Sequence, residues 1–454
     1  MKKLFFLILV AISQNTNAQL NPAITSWLQN TTQTGSYYST GNSTPIANNI
    51  LINCQAVQYS TNWVYVSTKG IPGYVTGPFQ DGNPSQAQSQ NAIFKIPLNP
   101  TQNTGNPTAT TGGNIGIFIN GVALFDYRDG VAWNTSSNSL CGGPGLTPCP
   151  GGPGATMPWN RDAIPAEKPG FDCSKGHPAM GNYHHHQNPS AFKLDLNVIS
   201  TICDLYDADG LYSIDSIAHS PLIGYAYDGF PIYGAYGFKN IDGTGGITRI
   251  KSGYQLRNIN IRSTWADGTD VADGPAINST YPLGYFREDY EFISHPGQGD
   301  YLDEYNGRFC KTPEYPNGVY CYFATVDGNW NSAYPYVVGP TFYGNKTASK
   351  VTSISETVST YTPSSASTSG YEEVSVSIFP NPSNDLFVVQ LSGLNTQPTY
   401  VELFDMTGKL LATQVINQGS TIGYIDVSTL YAGKYLVKIF NQYFSKITSI
   451  EVVE

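Results

Sequence analysis

Ile115-Gly-Ile-Phe-Ile-Asn-Gly-Val-Ala-Leu-Phe125 is the stretch on which the reading of the fold rests. Its apolar and β-branched residues flank Asn120-Gly121, a dipeptide that accepts tight-turn backbone angles at little steric cost, so the segment reads as two strands and a hairpin turn. Upstream, Ile50-Leu-Ile-Asn-Cys54 and Trp63-Val-Tyr-Val-Ser67 repeat the short apolar alternation, and Tyr320–Val326 and Tyr334–Val338 repeat it downstream. Leu140–Ala155 is too rich in Gly and Pro for a helix or a central strand and reads as a loop. Ser190–Asp204 is the one helix candidate, on the spacing of Phe192, Leu194, Leu196, Val198, Ile199 and Ile202. The expected class is mainly β, with irregular Gly/Pro-rich loops and few helices.

Lys and Arg number 23 against 33 Asp and Glu, a net charge of −10. A phosphate backbone needs basic patches, so no nucleic-acid partner is expected. The first 18 residues read as an export signal: Lys2-Lys3, an apolar run Leu4–Ile12, and small residues Thr16 and Ala18 before Gln19. No later run approaches the ~20 apolar residues of a spanning helix, so the exported chain is expected to be soluble or surface-attached by other means. Residues 19–49 read as an irregular lead-in, 50–345 as the main domain and 346–373 as a Ser/Thr-rich linker. Residues 374–454 alternate cleanly, as in Phe387/Val389/Leu391 and Tyr435/Val437/Ile439, and are expected to form a small Ig-like β-sandwich.

Export to an oxidising compartment makes disulfides the expected state of the seven cysteines. Cys310 and Cys321 flank a turn-rich loop and are the leading pair, and Cys141 with Cys149 closes a second local loop. Cys54, Cys173 and Cys203 then leave one cysteine over, either free and buried or a ligand, with Cys173 nearest the histidines.

Chemistry concentrates in Gly181-Asn-Tyr-His-His-His-Gln-Asn-Pro189, with His177 just upstream. Gly181-Asn182 and Pro189 disfavour a helix, and in an extended segment His184 and His186 share one face while His185 takes the other. Such a pair suits copper or zinc and not calcium or magnesium. His177 or His219 is the candidate third ligand, and Asp172 or Asp228 could ligate or orient an imidazole. The bland alternative is a hydrogen-bonded network of histidines and tyrosines without metal.

Asp228, in Tyr227-Asp-Gly-Phe-Pro-Ile-Tyr-Gly234, is a candidate general acid or base, with a core-packing turn equally open. Asp303, Glu304, Asn306 and Arg308 form a polar cluster whose simplest account is an internal Arg–carboxylate pair. Together with Asp228 they are also candidates for a paired-carboxylate hydrolytic site. Asp204-Leu-Tyr-Asp-Ala-Asp-Gly210 lacks the downstream Glu of a calcium loop and reads as a turn. The many Tyr and six Trp keep open a surface module that binds a small molecule or glycan, and a metal-free structural protein is the third reading.

Ile378-Phe-Pro-Asn-Pro382, Val401-Glu-Leu-Phe-Asp-Met-Thr-Gly-Lys409 and Gly433-Lys-Tyr-Leu-Val-Lys-Ile439 resemble the type A C-terminal sorting domain of type IX secretion. The resemblance implies the type IX machinery as a partner, then release or attachment to surface lipopolysaccharide. Residues from about Ile50 to Gly344 resemble the YHYH domain family, through Lys69-Gly-Ile-Pro72, Gly116-Ile-Phe-Ile-Asn-Gly-Val122, Gly176-His177, Tyr183-His184-His185-His186, His219-Ser-Pro-Leu-Ile-Gly224 and Tyr227–Gly234. Leu302-Asp-Glu-Tyr-Asn-Gly-Arg308 and Tyr334-Pro-Tyr-Val-Val-Gly-Pro340 complete the match. His185 stands where the family motif has its second tyrosine, on the face away from His184 and His186. This resemblance implies no reaction.

Overall fold

The Asn120-Gly121 hairpin forms and lies inside the largest sheet of the molecule. The computed structural model describes residues 20–79, 86–143, 145–151, 157–197, 201–206, 209–363, 376–392, 398–441 and 445–453. The export-signal reading lies outside these residues.

The main-domain elements that matter here are β1 (Cys54–Tyr59), β2 (Trp63–Thr68), β3 (Ala92–Pro97), β4 (Asn114–Phe118), β5 (Ala123–Phe125), α1 (Ala163–Glu167), β6 (His177–Ala179) and β7 (Asn182–His185). They continue with β8 (Leu222–Ala226), β9 (Pro231–Tyr233), β10 (Gly307–Cys310), β11 (Val319–Phe323), β12 (Ser349–Val351) and β13 (Ser359–Tyr361). Eight strands form one sheet in the order β6-β7-β5-β4-β8-β9-β11-β10. Its pairings are antiparallel except β7 with β5 and β9 with β11. Every residue of β8 is buried, so both faces of the sheet centre are covered. A five-stranded sheet, β12-β3-β2-β1-β13, completes the domain, and Val57, Val64, Val66 and Phe94 join Ile117, Leu124, Tyr225 and Ile232 in one core.

Four expectations are corrected. The lead-in is ordered: Ala23, Ile24 and Trp27 are buried in the core, Trp27 packs on Tyr225 at 5.3 Å, and Thr34–Ser39 pairs with Asn42–Leu51. The Ser/Thr-rich stretch is not a linker throughout, because β12 pairs with β3 and β13 with β1. Edge strands draw on backbone partners more than on apolar side chains, which is why composition misled; residues 364–375 of that stretch are outside the described ones. Ser190–Asp204 is not a helix of that length: Phe192–Leu194 and Thr201–Asp204 are single 3₁₀ turns, and residues 198–200 lie outside the description. Its path is held instead by the Lys175–Asp195 ion pair and by Cys173. Asp204–Gly210 also falls partly outside the described residues.

The fourth correction concerns the cysteines. Cys141–Cys149 is a disulfide as expected, but the second bond is Cys173–Cys203, so Cys173 is neither free nor a ligand. Cys310 and Cys321 are thiols with their sulfurs 3.3 Å apart. Cys310 stands opposite Val319 and Cys321 opposite Arg308, which makes the cysteines diagonal neighbours.

The C-terminal unit contains β14 (Val376–Phe379), β15 (Leu386–Leu391), β16 (Thr399–Phe404), β17 (Leu410–Ile416), β18 (Ile422–Asp426), β19 (Gly433–Phe440) and β20 (Ser445–Val452). Two antiparallel sheets, β14-β15-β18 and β17-β16-β19-β20, enclose a core that includes Phe387, Val389, Val401, Leu403, Val437 and Ile439. This is the expected Ig-like sandwich. Among the described residues, no helix is long and apolar enough to cross a membrane.

Candidate metal centre

His177 and His184 face each other across a two-residue hairpin. His177 stands opposite His184, Pro178 opposite Tyr183 and Ala179 opposite Asn182, with Met180 (φ 49°) and Gly181 (φ 83°) in the turn. Positive φ at both turn positions matches the twist of the flanking strands, and glycine supplies the second without strain. Opposed residues share a face of the sheet, and so do residues two apart along the extended chain. His177, His184 and His186 therefore converge, and their ligand nitrogens all lie within 4.8 Å of one another.

A fourth group completes the cluster. Glu167 ends α1, a single turn opened by Asp162, whose side chain accepts the Ile164 N–H. From there Glu167 Oε2 reaches 3.2 Å from both His177 Nε2 and His186 Nε2. Burial alone would raise this carboxyl, but the facing His177 and His186 outweigh it and hold Glu167 well below the usual carboxylate range. Nothing in the sequence spacing singles this acid out: it sits between Pro165 and Pro169, ten residues before His177, and arrives by tertiary packing.

The tautomers of two imidazoles follow from their partners. His184 Nδ1 lies 2.8 Å from the Asn182 carbonyl and His186 Nδ1 2.6 Å from the Asp126 carbonyl. A carbonyl oxygen can only accept, so each Nδ1 carries a proton, and in the neutral form of either ring Nε2 is the nitrogen left as an acceptor or ligand. These two Nε2 atoms are 3.1 Å apart. Burial, reinforced by His186 and His177, holds His184 well below the ordinary histidine range. Phe125 stacks on His184 at 3.8 Å and Phe171 meets His177 edge-on at 4.9 Å, walling the cluster with apolar rings.

His185 points to the other face, as the alternation requires. Its Nδ1 donates to the Lys175 carbonyl at 3.0 Å and its Nε2 accepts from Tyr74 Oη at 2.7 Å. Tyr183, on the same face, donates to Asp172 Oδ2 at 2.9 Å. Asp172 also accepts the Gly77, Ser174 and Gly176 N–H groups, so it fixes the turn before β6 instead of orienting an imidazole.

The remaining candidates lie elsewhere. His219 is not in the cluster: its Nδ1 donates to the Ser220 carbonyl, and its ring packs on Tyr233 and Phe238 ahead of β8. Asp228 is buried and accepts from Tyr322 Oη at 2.6 Å and the Gly344 N–H at 2.8 Å, which fits neither a ligand nor an open acid–base position. Asp303 accepts from Tyr320 Oη and from the Tyr305 and Gly307 N–H groups. Glu304 is exposed. Arg308 does not make the expected carboxylate pair; its guanidinium donates to the Phe238 and Gly299 carbonyls and covers Phe323. Burial pushes both Asp228 and Asp303 up to about 6.

Together these features define a mainly β domain with a buried imidazole–carboxylate cluster, followed by a small β-sandwich. The chain belongs to the YHYH family: the model described as "YHYH protein" matches residues 93–335. Residues 377–452 match the model described as "Secretion system C-terminal sorting domain". The sorting domain marks the protein for type IX export to the cell surface or the medium, with the secretion machinery as a partner. No curated protein matches the chain.

Proposed function

We propose that the exported domain holds one transition-metal ion, copper or zinc, at His177, His184 and His186, with the Glu167 carboxylate as a further ligand. The observation that carries this reading is the 3.1 Å approach of the His184 and His186 Nε2 atoms, with each Nδ1 already committed to a carbonyl. When both rings are neutral, two lone pairs at that distance repel unless a cation lies between them. A shared proton would satisfy two nitrogens, but a third imidazole and a carboxylate converge on the same place. Bonds of about 2.0–2.1 Å put neighbouring donors about 3.3 Å apart in a tetrahedron and about 2.9 Å apart at right angles. The separations of 3.1 Å between His184 and His186 and of 3.2 Å from Glu167 to His177 and His186 fall between these values; the three imidazole nitrogens together span up to 4.8 Å, so His177 closes in when an ion binds. Imidazole with one carboxylate suits zinc and copper, whereas calcium and magnesium favour all-oxygen shells.

Glu167 is the most accessible member, its side chain 24% exposed against 9% for His177 and 4% for His186. Displacing it would open one position toward solvent, which is what separates a catalytic metal site from a closed structural one. The same reading leaves the exported domain free in the medium or attached to surface lipopolysaccharide, which fractionation of the two pools distinguishes. The site is tested with Co²⁺ as a spectroscopic probe on the protein recovered from culture medium. Wild type should develop ligand-field bands that saturate at one equivalent, and His184→Ala and His186→Ala should not, with near-ultraviolet circular dichroism preserved. Identical cobalt spectra in wild type and both variants would refute the assignment.

A further inference from the structure

At the far end of the main sheet, β9, β10 and β11 border a cleft of about 400 Å³. That is within the ~300–1,000 Å³ of small-molecule sites. Five strand spacings separate β7 from β11, roughly 24 Å at ~4.8 Å each, so the cleft is distinct from the histidine cluster.

One wall is aromatic. Phe309 is 59% exposed, and Tyr343 lies flat on Tyr320 with centroids 3.5 Å apart and planes 6° apart. Phe230 braces both tyrosines edge-on, at 5.4 and 5.3 Å. The lining also carries the exposed amides Asn99 and Gln102, the latter bridged to Gly344 beside Tyr343, and among the described residues no Asp, Glu, Lys or Arg lines the cleft.

The rings are held from behind by the carboxylates that the sequence singles out. Tyr320 Oη donates to Asp303. Tyr322 Oη donates to Asp228 and accepts the Tyr343 N–H at 2.8 Å, and Asp228 also takes the Gly344 N–H. Acceptors that fix the Tyr320 ring beneath Tyr343, and the Tyr343 backbone itself, are what a preorganised binding wall requires. Flat aromatic faces meet apolar C–H surfaces, and uncharged amides both donate to and accept from hydroxyls. A pyranose ring offers both surfaces and carries no charge.

We propose that this cleft binds a neutral oligosaccharide, with sugar faces on Phe309 and Tyr343 and hydroxyls at the amides of Asn99 and Gln102. The site stands independently of the metal reading. The test is calorimetric titration of the full secreted protein with cellohexaose, xylohexaose and mannohexaose, and with tetragalacturonate as the acidic comparison. At least one neutral probe should bind, Phe309→Ala should weaken it about fivefold or more, and tetragalacturonate should not bind. Phe309 is exposed, so the variant should keep the wild-type thermal midpoint, and His184→Ala should bind sugar as wild type does. The proposal is overturned by no binding of any neutral probe, by unchanged affinity in Phe309→Ala, or by preference for tetragalacturonate.

Discussion

Replacing Glu167 with Gln tests how the centre is built. The substitution keeps the side chain's shape and removes one negative charge 3.2 Å from both His177 Nε2 and His186 Nε2. Groups that support a metal site typically contribute 10- to 100-fold in affinity, or about 1.4–2.7 kcal/mol. The consequence for stability follows by mass action. With free Zn²⁺ at about 100 times the wild-type dissociation constant, the native state gains about 2.7 kcal/mol; after a 100-fold loss the same Zn²⁺ gives only about 0.4 kcal/mol. Competition titration against a chelator should report the affinity change, and the zinc-induced rise in thermal midpoint should nearly vanish in Glu167→Gln. Because the facing imidazoles hold Glu167 below the usual carboxylate range, the metal-free variant should itself melt lower, and the comparison is the zinc-induced rise within each protein. Equal zinc affinity in the two proteins would refute a role for Glu167 at the ion.

Other consequences can be checked separately. Lys175 and Asp195 form an ion pair at 2.6 Å with side chains 0% and 3% exposed, so Lys175→Met should cost about 3–5 kcal/mol in urea unfolding by stranding a buried carboxylate; a loss below about 1 kcal/mol would contradict that. Burial, against the Ser220 carbonyl's opposing effect, brings His219 down from 6.5 to about 4. Since the folded ring stays neutral while the unfolded one protonates, its contribution of up to about 3 kcal/mol is complete above pH 6.5 and is lost as pH falls toward 4. An NMR midpoint for His219 near 6.5 would contradict this. Alkylation of the unreduced, denatured protein should tag Cys54, Cys310 and Cys321. After mild oxidation with diamide only Cys54 should react, because the sulfurs of Cys310 and Cys321 are already 3.3 Å apart, and persistence of all three tags would count against that geometry.

What was legible in the sequence was local. The Asn120-Gly121 hairpin and the shared face of His184 and His186 follow from two-residue periodicity and turn chemistry, which short segments carry in full. The choice between His177 and His219 was not available, because it depends on a turn in which Met180 adopts positive φ and brings His177 opposite His184. Glu167 left no trace, since a single-turn helix containing Pro165 has no periodicity and nothing in the ten residues that separate it from His177 fixes their approach. Asp228 and Asp303 looked catalytic because acids in Gly-rich turns do. Their tyrosine donors are 94 and 17 residues away, and only the sheet unites them. Among the cysteines, the eight-residue loop of Cys141 and Cys149 was readable, whereas the 30-residue separation of Cys173 and Cys203 closes only through tertiary structure.

The most direct test of the centre is the metal content of the protein recovered from culture medium, measured by mass spectrometry of its elements after extensive dialysis against metal-free buffer. The account predicts close to one equivalent of zinc or copper per chain, removable by a strong chelator with a fall in thermal midpoint that added metal restores. Protein that carries no transition metal, gains none on incubation, and melts identically with and without chelator would contradict it.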